Sequence, residues 1–229
     1  MKGLLNFIAG TATQLSAQQQ ESGNVFSFVF EVPQNFTWKA GQHILLSVNG
    51  KMKPFSIASS PEERKIRITK SYRGESASAF KQALHRLSVG EKAVLRGPAG
   101  PMVLTDPNKH YVLLAQGIGI TPFRAILKDA TAKNLPHKIT LLYVNTADEI
   151  LFKSELDMLA KENSNITVVY ISGKNSLTSH DIQVSTPDLG QAVFFLSGAP
   201  ATIRDYTTLL LQLGVSKDQI KKDPFYGYK

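Results

Sequence analysis

The spacing of hydrophobic residues changes once along the chain, near residue 105. Before that point, short alternating runs are separated by turn residues, a pattern typical of strands that bury one face. These runs are VFSFVFEV, HILLSV, PFSIAS, KIRITK and KAVLRGP, and one helical stretch, SASAFKQALHRL, interrupts them. The pattern predicts an antiparallel sandwich or barrel.

Beyond the polar segment LTDPNK, strands alternate with helices. Continuous apolar runs, which are YVLLAQ, ITLLYVN, ITVVYIS and AVFFLSG, alternate with helical patterns at 122–133, 151–163 and 201–213. Strands that are apolar on both faces are typical of a parallel sheet covered by helices. We therefore predict two domains, residues 1–104 and residues 105–229, and a length of 229 residues suits two cores.

The absence of cysteine narrows the chemistry. It excludes disulfides, thiolate metal sites, a catalytic thiol and a cysteine-held iron-sulfur cluster within this chain, and it favours a reducing cytoplasm. None of the 5 histidines has metal-ligand spacing, so we expect no metal and treat all of them as structural or surface residues. No apolar run approaches the roughly 18 residues of a membrane span, and we predict a cytoplasmic protein without a membrane partner.

The net charge of +8 allows three interpretations. The surface is simply basic, or it binds nucleic acid, or it attracts an acidic partner or a phosphate-rich ligand. Lysine and arginine are scattered rather than interleaved with aromatic residues, apart from Lys221 and Lys222. This pattern disfavours nucleic acid, although a basic β-barrel that binds nucleic acid stays as a remote alternative.

A glycine-rich turn in AQGIGITPFRAIL carries the first ligand signal. Gly117 and Gly119 allow a tight turn after a buried strand, Thr121 can cap the next helix, and Pro122 suits the first position of that helix. The N–H groups at such a helix start can bind a pyrophosphate, although a plain tight connection remains the alternative. A similar turn in FLSGAPATI, after the last predicted strand, favours the binding site.

A second signal lies in KMKPFSIASSPEE, where a cation, a ring and a hydroxyl share one extended segment. By alternation, Lys53 and Phe55 lie on one face of the strand and Ser56 on the other. A strand that only fills a core does not need this combination of groups.

These motifs, in this order, resemble those of the ferredoxin-NADP reductase family over essentially the whole chain. The resemblance implies a Greek-key antiparallel β-barrel that binds FAD, followed by a parallel α/β domain that binds NADPH or NADH. It also implies an FAD-dependent NAD(P)H oxidoreductase.

The resemblance assigns the strand around Pro54 to FAD. In the family the strand reads Arg-x-Tyr-Ser, so Lys53 is expected at the flavin pyrophosphate, Phe55 against the flavin and Ser56 near N5. Lysine offers a point charge where arginine offers a two-pronged donor, and pyrophosphate binding is then looser. Phenylalanine also lacks the hydroxyl of tyrosine.

Further FAD contacts are expected where the helix of the first domain begins. The family has a Gly-x-x-Ser turn there, and this chain has Gly74 followed by Ser76 and Ser78. Either serine can meet phosphate or serve only as a helix cap. Lys70 matches a family position beside the flavin, and its alternative is a solvated lysine at a sheet edge.

On the nicotinamide side, Ser197 stands where the family often has cysteine, and Gly198 and Pro200 match the late turn. NADPH users commonly show Ser-Arg after the third strand of this domain. Here Ser172 matches, a glycine occupies the arginine position, and Lys174 follows. The resemblance therefore implies a modest preference for NADPH.

The chain ends in IKKDPFYGYK, and the family commonly has a carboxylate-x-aromatic near its end. The resemblance places Asp223 near the hydride path, Phe225 on the flavin ring, and Tyr228 where it helps to retain FAD. The alternative is that these aromatics close the hydrophobic edge of the second domain.

The electron acceptor is expected to be a separate, acidic carrier such as ferredoxin, flavodoxin or an oxygenase component. The alternative is an NAD(P)H:flavin oxidoreductase that reduces free flavins, because Lys53 weakens FAD retention.

Overall fold

The computed structural model describes residues 10–145, 150–173 and 176–225. Its first part is a six-stranded antiparallel half-barrel with the strand order β4-β3-β6-β1-β2-β5. The strands are β1 Thr11–Ser22, β2 Val25–Phe30, β3 His43–Val48, β4 Lys51–Ser56, β5 Ile66–Ser71 and β6 Lys92–Ala99, and helix α1 spans Ala79–His85.

The half-barrel closes around a core to which alternate strand residues contribute. Phe28, Ile44 and Ile68 are fully buried there, and α1 adds Phe80 and Leu84. Strands β4 and β5 lie at the two ends of the strand order, so neither has a second strand neighbour within this sheet.

The second part is a five-stranded parallel sheet with the order β11-β10-β7-β8-β9. Its strands are β7 His110–Gln116, β8 Lys138–Asn145, β9 Ile166–Ser172, β10 Ala192–Gly198 and β11 Ile220–Pro224. Its helices are α2 Thr121–Ala132, α3 Lys153–Glu162, α4 Ser179–Ser185 and α5 Pro200–Gln212. The predicted fold class, an antiparallel barrel followed by a parallel α/β domain, is confirmed.

The strand order of the parallel sheet reverses at β7. The chain runs from β7 to β8 and β9 on one side, and returns to β10 and β11 on the other. Ligands of such sheets bind outside the carboxyl ends of the strands at the point of reversal. Both glycine turns found in the sequence lie there, because one follows β7 and the other follows β10.

Within the part of the chain that the structure describes, no helix is long and apolar enough to cross a membrane. The same residues contain no group of three or more histidine, aspartate or glutamate side chains that could hold a metal ion.

Candidate active site

A cleft opens between β4, β5 and α1 of the half-barrel and the start of α2 in the second domain. It contains about 630 Å³ of space, part of it open to solvent. The residues that line it are Lys53, Pro54, Phe55, Ser56, Thr69, Ser78, Phe80, Lys81, Thr121 and Phe225. Seven of these positions carry sequence predictions, and the lining brings residues of both domains together.

The two domains make direct contact beside this cleft through a serine and a carboxylate. The Ser56 hydroxyl donates to Asp223 Oδ2 at 2.6 Å, although 167 positions separate the two residues. His43 is paired with Ser56 across β3 and β4, and its Nδ1 lies 3.8 Å from Asp223 Oδ1. Parallel pairing of β11 with β10 places Asp223 opposite Ser197. The arrangement is a polar chain from the cleft to the partly exposed His43.

Opposing influences act on the Asp223 carboxyl group. Burial raises its pKa above the ordinary value for aspartate, while the hydrogen bond from Ser56 and the nearby His43 lower it. The net direction is upward. Asp223 is therefore a group that can exchange a proton closer to neutrality than an exposed aspartate.

The two glycine turns approach each other closely at the carboxyl edge of the sheet. A Cβ placed on Gly119 would lie 2.2 Å from the carbonyl oxygen of Ser197, so only glycine fits there. The Tyr143 hydroxyl donates to the Gly117 carbonyl at 3.1 Å and braces the first turn. Thr121 is the first residue of α2 rather than its cap, and its hydroxyl donates to the Ile118 carbonyl at 3.2 Å.

The late turn, which follows β10, places polar groups at the same edge of the sheet. The Ser197 hydroxyl is buried and has no hydrogen-bond partner among the described residues. The Phe225 N–H donates to the Gly198 carbonyl at 2.9 Å, which holds the aromatic residue against this turn. Thr202 donates to Gln116 Oε1 at 2.7 Å and links the first turn of α5 to the end of β7. Pro200 is the first residue of α5.

Cations gather around the start of α1. Ser78 is the cap of this helix, and its hydroxyl accepts from the Lys81 N–H. Burial and the charge of Arg73 lower the pKa of Lys81, and burial and the charge of Lys81 lower the pKa of Lys70 to about 7. An anion bound near Ser78 would relieve this repulsion.

Several predicted residues do not line the cleft. Lys70 is fully buried beneath α1, where its Nζ donates to the Lys81 carbonyl at 3.1 Å. Gly74 and Ser76 form an exposed 3-10 turn, and Ser172 is exposed at the end of β9. Lys174 and Tyr228, which were also predicted to bind cofactor, lie outside the described residues.

Sequence reasoning missed four residues of the site: His43, Thr69, Phe80 and Lys81. The sequence spacing of the histidines did not single out His43. Its place in the site comes from strand pairing, which sets His43 opposite Ser56. Thr69 directly precedes Lys70 and Lys81 lies three residues beyond Ser78, so proximity in the sequence to predicted residues is their only signal.

The residues present fit FAD and a nicotinamide dinucleotide. The cleft offers the Phe55 ring, the cations Lys53 and Lys81, and space next to the Ser56 hydroxyl. The carboxyl edge of the parallel sheet, where the two glycine turns meet, offers the buried Ser197 hydroxyl and the start of a twelve-residue helix. A flat apolar ring and phosphates suit the first region, and a carboxamide and a pyrophosphate suit the second.

Comparison with known proteins agrees with this division. The family model of the oxidoreductase FAD-binding domain matches residues 12–103, and that of the oxidoreductase NAD-binding domain matches residues 113–192.

Two curated relatives and one solved structure illustrate the similarity. The sulfhydrogenase 2 subunit gamma of Pyrococcus furiosus is 31% identical over 62% of this chain and 50% of the relative. NADH-cytochrome b5 reductase 1 of Aspergillus fumigatus is 34% identical over 57% of this chain and 47% of the relative. This chain thus covers about half the length of each. The ferredoxin-NADP+ reductase of Plasmodium falciparum shares the fold, with a TM-score of 0.77 and 18% identity over 94% of this chain and 96% of that one.

The domain matches, the fold and the fit of the site lead to one conclusion. The chain belongs to the ferredoxin-NADP reductase-like family of oxidoreductases, with an FAD-binding domain followed by an NAD(P)-binding domain.

Proposed function

We propose that this protein takes electrons from NADPH, or from NADH less effectively, and passes them through FAD to a separate electron-carrier protein. The observation that carries the proposal is the 2.6 Å contact between Ser56 and Asp223. It joins the FAD-binding strand β4 to the end of the nicotinamide-binding domain at the point where the two cofactors must meet.

On the FAD side, the residues of β4 and α1 have separable roles. Lys53 and Lys81 would hold the pyrophosphate, and Ser78 would add a hydroxyl at the start of α1. Phe55 lines the cleft and would pack along the flavin, and Phe225 lines it as well. The Phe225 ring would cover the flavin, as its spacing from Asp223 suggests.

On the nicotinamide side, the turn at Gly117 and Gly119 would receive the pyrophosphate at the start of α2. Ser197 would bind the carboxamide, because its hydroxyl is buried at this edge of the sheet and has no other partner among the described residues. FAD supplies the ability to accept a hydride from nicotinamide and to release electrons singly or in pairs. The protein holds both groups in register and excludes water between them.

The polar chain of Ser56, Asp223 and His43 would move the proton that accompanies electron release. The Ser56 hydroxyl faces the cleft, and Asp223 accepts its hydrogen bond. His43 is partly exposed and lies next to Asp223, so it connects the carboxylate with solvent.

The net charge of +8 supports an acidic carrier as the acceptor. Lys51 and Lys53 are both exposed on β4 beside the cleft, where such a carrier would approach the flavin. One relative is named for cytochrome b5 and one structural neighbour for ferredoxin, and both names indicate separate carriers.

Reduction of free flavins is the second candidate function. The exposure of Lys53 favours it, since an exposed point charge holds a pyrophosphate less firmly than a buried arginine.

An anaerobic experiment separates the two candidates. The purified protein is desalted and titrated with NADPH while flavin bleaching is followed. The oxidised form of one candidate acceptor at a time is then added: ferredoxin, flavodoxin or cytochrome b5. Yellow colour that survives desalting, with reoxidation by one carrier that weakens at high salt, is expected. Loss of colour on desalting, with turnover of added FMN or FAD, would instead establish the flavin reductase.

The nicotinamide preference is tested separately by steady-state kinetics. No carboxylate occurs from Ser172 to His180, and an acidic residue there would repel a 2′-phosphate. We expect a modestly higher kcat/KM for NADPH than for NADH. A several-fold higher kcat/KM for NADH would overturn this preference without affecting the reductase itself.

A further inference from the structure

Arg124 lies on α2, one turn beyond Thr121, and is buried between the two domains. Its side chain is 3% exposed, and it pairs with two carboxylates from different parts of the molecule. Burial opposes its charge, but the hydrogen bonds that it donates to Glu63 and the charges of Glu155 and Glu63 raise the pKa of Arg124, so the guanidinium stays charged. A buried charge held this way requires an explanation, because desolvation is expensive.

One half of the guanidinium binds the barrel. Nη1 donates to the Ala58 carbonyl at 2.6 Å, and Nη1 and Nη2 each donate to a Glu63 carboxylate oxygen at 3.1 Å. Ala58 and Glu63 belong to the segment that follows β4, two and seven residues beyond Ser56 in the sequence. These hydrogen bonds therefore connect α2 to the segment that directly follows β4.

The other half binds the second domain. Nε and Nη2 donate to the Glu155 carboxylate at 2.6 and 2.8 Å, and Lys128 adds a further bond to Glu155 at 2.8 Å. The Phe152 ring lies 5.2 Å from the guanidinium, and Phe152 has a left-handed backbone with φ of 62°, which is strained for a residue other than glycine. Two cations thus balance two carboxylates at the domain boundary.

The segment that receives Arg124 is itself rigid. The Trp38 indole N–H donates to the Ser59 carbonyl at 3.2 Å, and the Ser60 N–H donates to Glu63 Oε2 at 2.7 Å. The Ile57 N–H donates to the Gln42 carbonyl at 2.9 Å. A displacement of α2 is therefore transmitted to the end of β4 rather than absorbed by a loose loop.

We propose that Arg124 is a positioning residue that sets the separation between the FAD-binding strand β4 and the glycine turn that begins α2. It bridges Glu63 of the barrel and Glu155 of the second domain, and touches neither cofactor site itself. Hydride transfer requires the two rings to be placed within a fraction of an ångström, so a small shift between the domains slows the reaction without removing either binding site. The inference rests on the proposed function, since it concerns the reduction of the flavin by nicotinamide, and it does not depend on which acceptor takes the electrons afterwards.

The test uses four variants of the flavin-bound protein. Arg124→Lys keeps the charge but cannot pair with two carboxylates through a planar fork. Glu63→Gln weakens the contact between the domains, whereas Glu155→Gln weakens only the contact inside the second domain. Lys133→Met is the matched control, because the exposed pair of Lys133 and Glu62, at 3.5 Å, crosses the same boundary.

In stopped-flow experiments, Arg124→Lys and Glu63→Gln are expected to slow flavin reduction by NADPH about tenfold or more. FAD retention and the dissociation constant of NADP+ should change less than about twofold, as expected for a loss of geometry rather than of binding. Glu155→Gln and Lys133→Met should reduce the flavin at the wild-type rate. Independently of activity, hydrogen exchange without nicotinamide should become faster in residues 57–63 and 121–128 of Arg124→Lys and Glu63→Gln only.

Three results would overturn the proposal. They are an unchanged rate in Arg124→Lys, equal slowing in Glu63→Gln and Glu155→Gln, or a parallel loss of NADP+ affinity. If Arg124→Lys does not fold, the comparison of Glu63→Gln with Glu155→Gln decides alone, because both glutamine side chains retain hydrogen-bonding capacity.

Discussion

At the residue scale, the protonation state of Asp223 depends on the hydrogen bond that it accepts from the Ser56 hydroxyl. Burial raises the pKa of its carboxyl group, and the hydrogen bond from Ser56 lowers it, so the net increase is smaller than burial alone would cause. The pair lies beside the cleft, with Oγ and Oδ2 2.6 Å apart. Removing the Ser56 hydroxyl therefore raises the pKa of Asp223 further, and a larger fraction of Asp223 is protonated at a given pH.

Ser56→Ala is expected to move the acid limb of the pH profile of NADPH oxidation to higher pH. The acid limb moves in this direction because the hydrogen bond stabilises the charged carboxylate of Asp223, and losing the bond raises the pKa of Asp223. We also expect kcat to fall about tenfold or more, since a positioned proton-transfer group is lost. Ferricyanide as acceptor, assayed from pH 4.5 to 9, measures both effects.

Ser16→Ala is the matched control for this change. Its hydroxyl donates to the Val29 carbonyl at 3.0 Å within the barrel, away from the cleft. The control should keep the wild-type profile, and Asp223→Asn should lose the limb assigned to Asp223. An acid limb that survives Asp223→Asn unchanged would remove Asp223 from the mechanism.

At the element scale, the two glycine turns work as one unit because they are in van der Waals contact. Gly119→Ala would place a methyl group 2.2 Å from the Ser197 carbonyl oxygen, and backbone cannot rotate away as a flexible side chain does. The turn must move, at a cost of about 1–3 kcal/mol in stability. KM for NADPH should rise more than FAD affinity falls, because the displaced turn belongs to the nicotinamide side.

Urea denaturation and steady-state kinetics test this expectation. Gly190→Ala is the control, since the nearest neighbour of a Cβ there is the Asp188 side chain at 3.4 Å and the position has no restrictive φ. The control should differ from wild type by less than about 0.5 kcal/mol, as most surface substitutions do. A Gly119→Ala variant with wild-type stability and KM would show that the close approach has no consequence.

At the scale of the whole molecule, the amino ends of the parallel strands carry two histidines whose surroundings disfavour protonation, the half-buried His110 and the buried His137. Burial and the charge of Lys138 lower the pKa of His110 to about 4. Burial also lowers the pKa of His137, and both of its ring nitrogens are buried without a partner among the described residues. The folded protein therefore binds fewer protons here than the unfolded chain in mildly acidic solution.

Stability should decrease as the pH falls from about 6.5 towards about 4, because the unfolded state takes up protons that the folded state excludes. His110→Asn should make the melting temperature less dependent on pH in this window, and His180→Asn, at an exposed position, should not. Calorimetry of the flavin-bound protein at pH 7.5, 6, 5 and 4.5 measures the slopes. Parallel slopes for wild type and His110→Asn would contradict the assignment.

Some elements escaped prediction for physical reasons that can be named. β1 contains the polar run Gln18 to Glu21, and its outer half is largely exposed, so it lacks the apolar alternation that marks a strand. β11 is a short edge strand that contains two lysines and a proline. β4 was predicted three residues too late, because the buried Ile57 and Ala58 continue its apolar pattern after the strand has ended.

The sequence by itself determined the two architectures, their order, both glycine turns and the strand of Lys53, Phe55 and Ser56. These features are local, since hydrophobic periodicity and turn chemistry depend on neighbours along the chain. Only the tertiary structure brought Ser56 to Asp223, placed His43 beside that pair, and buried Arg124 between two carboxylates. Such contacts depend on how two separately built sheets are set against each other, and that placement is decided by packing at the domain boundary rather than by any pattern within a segment.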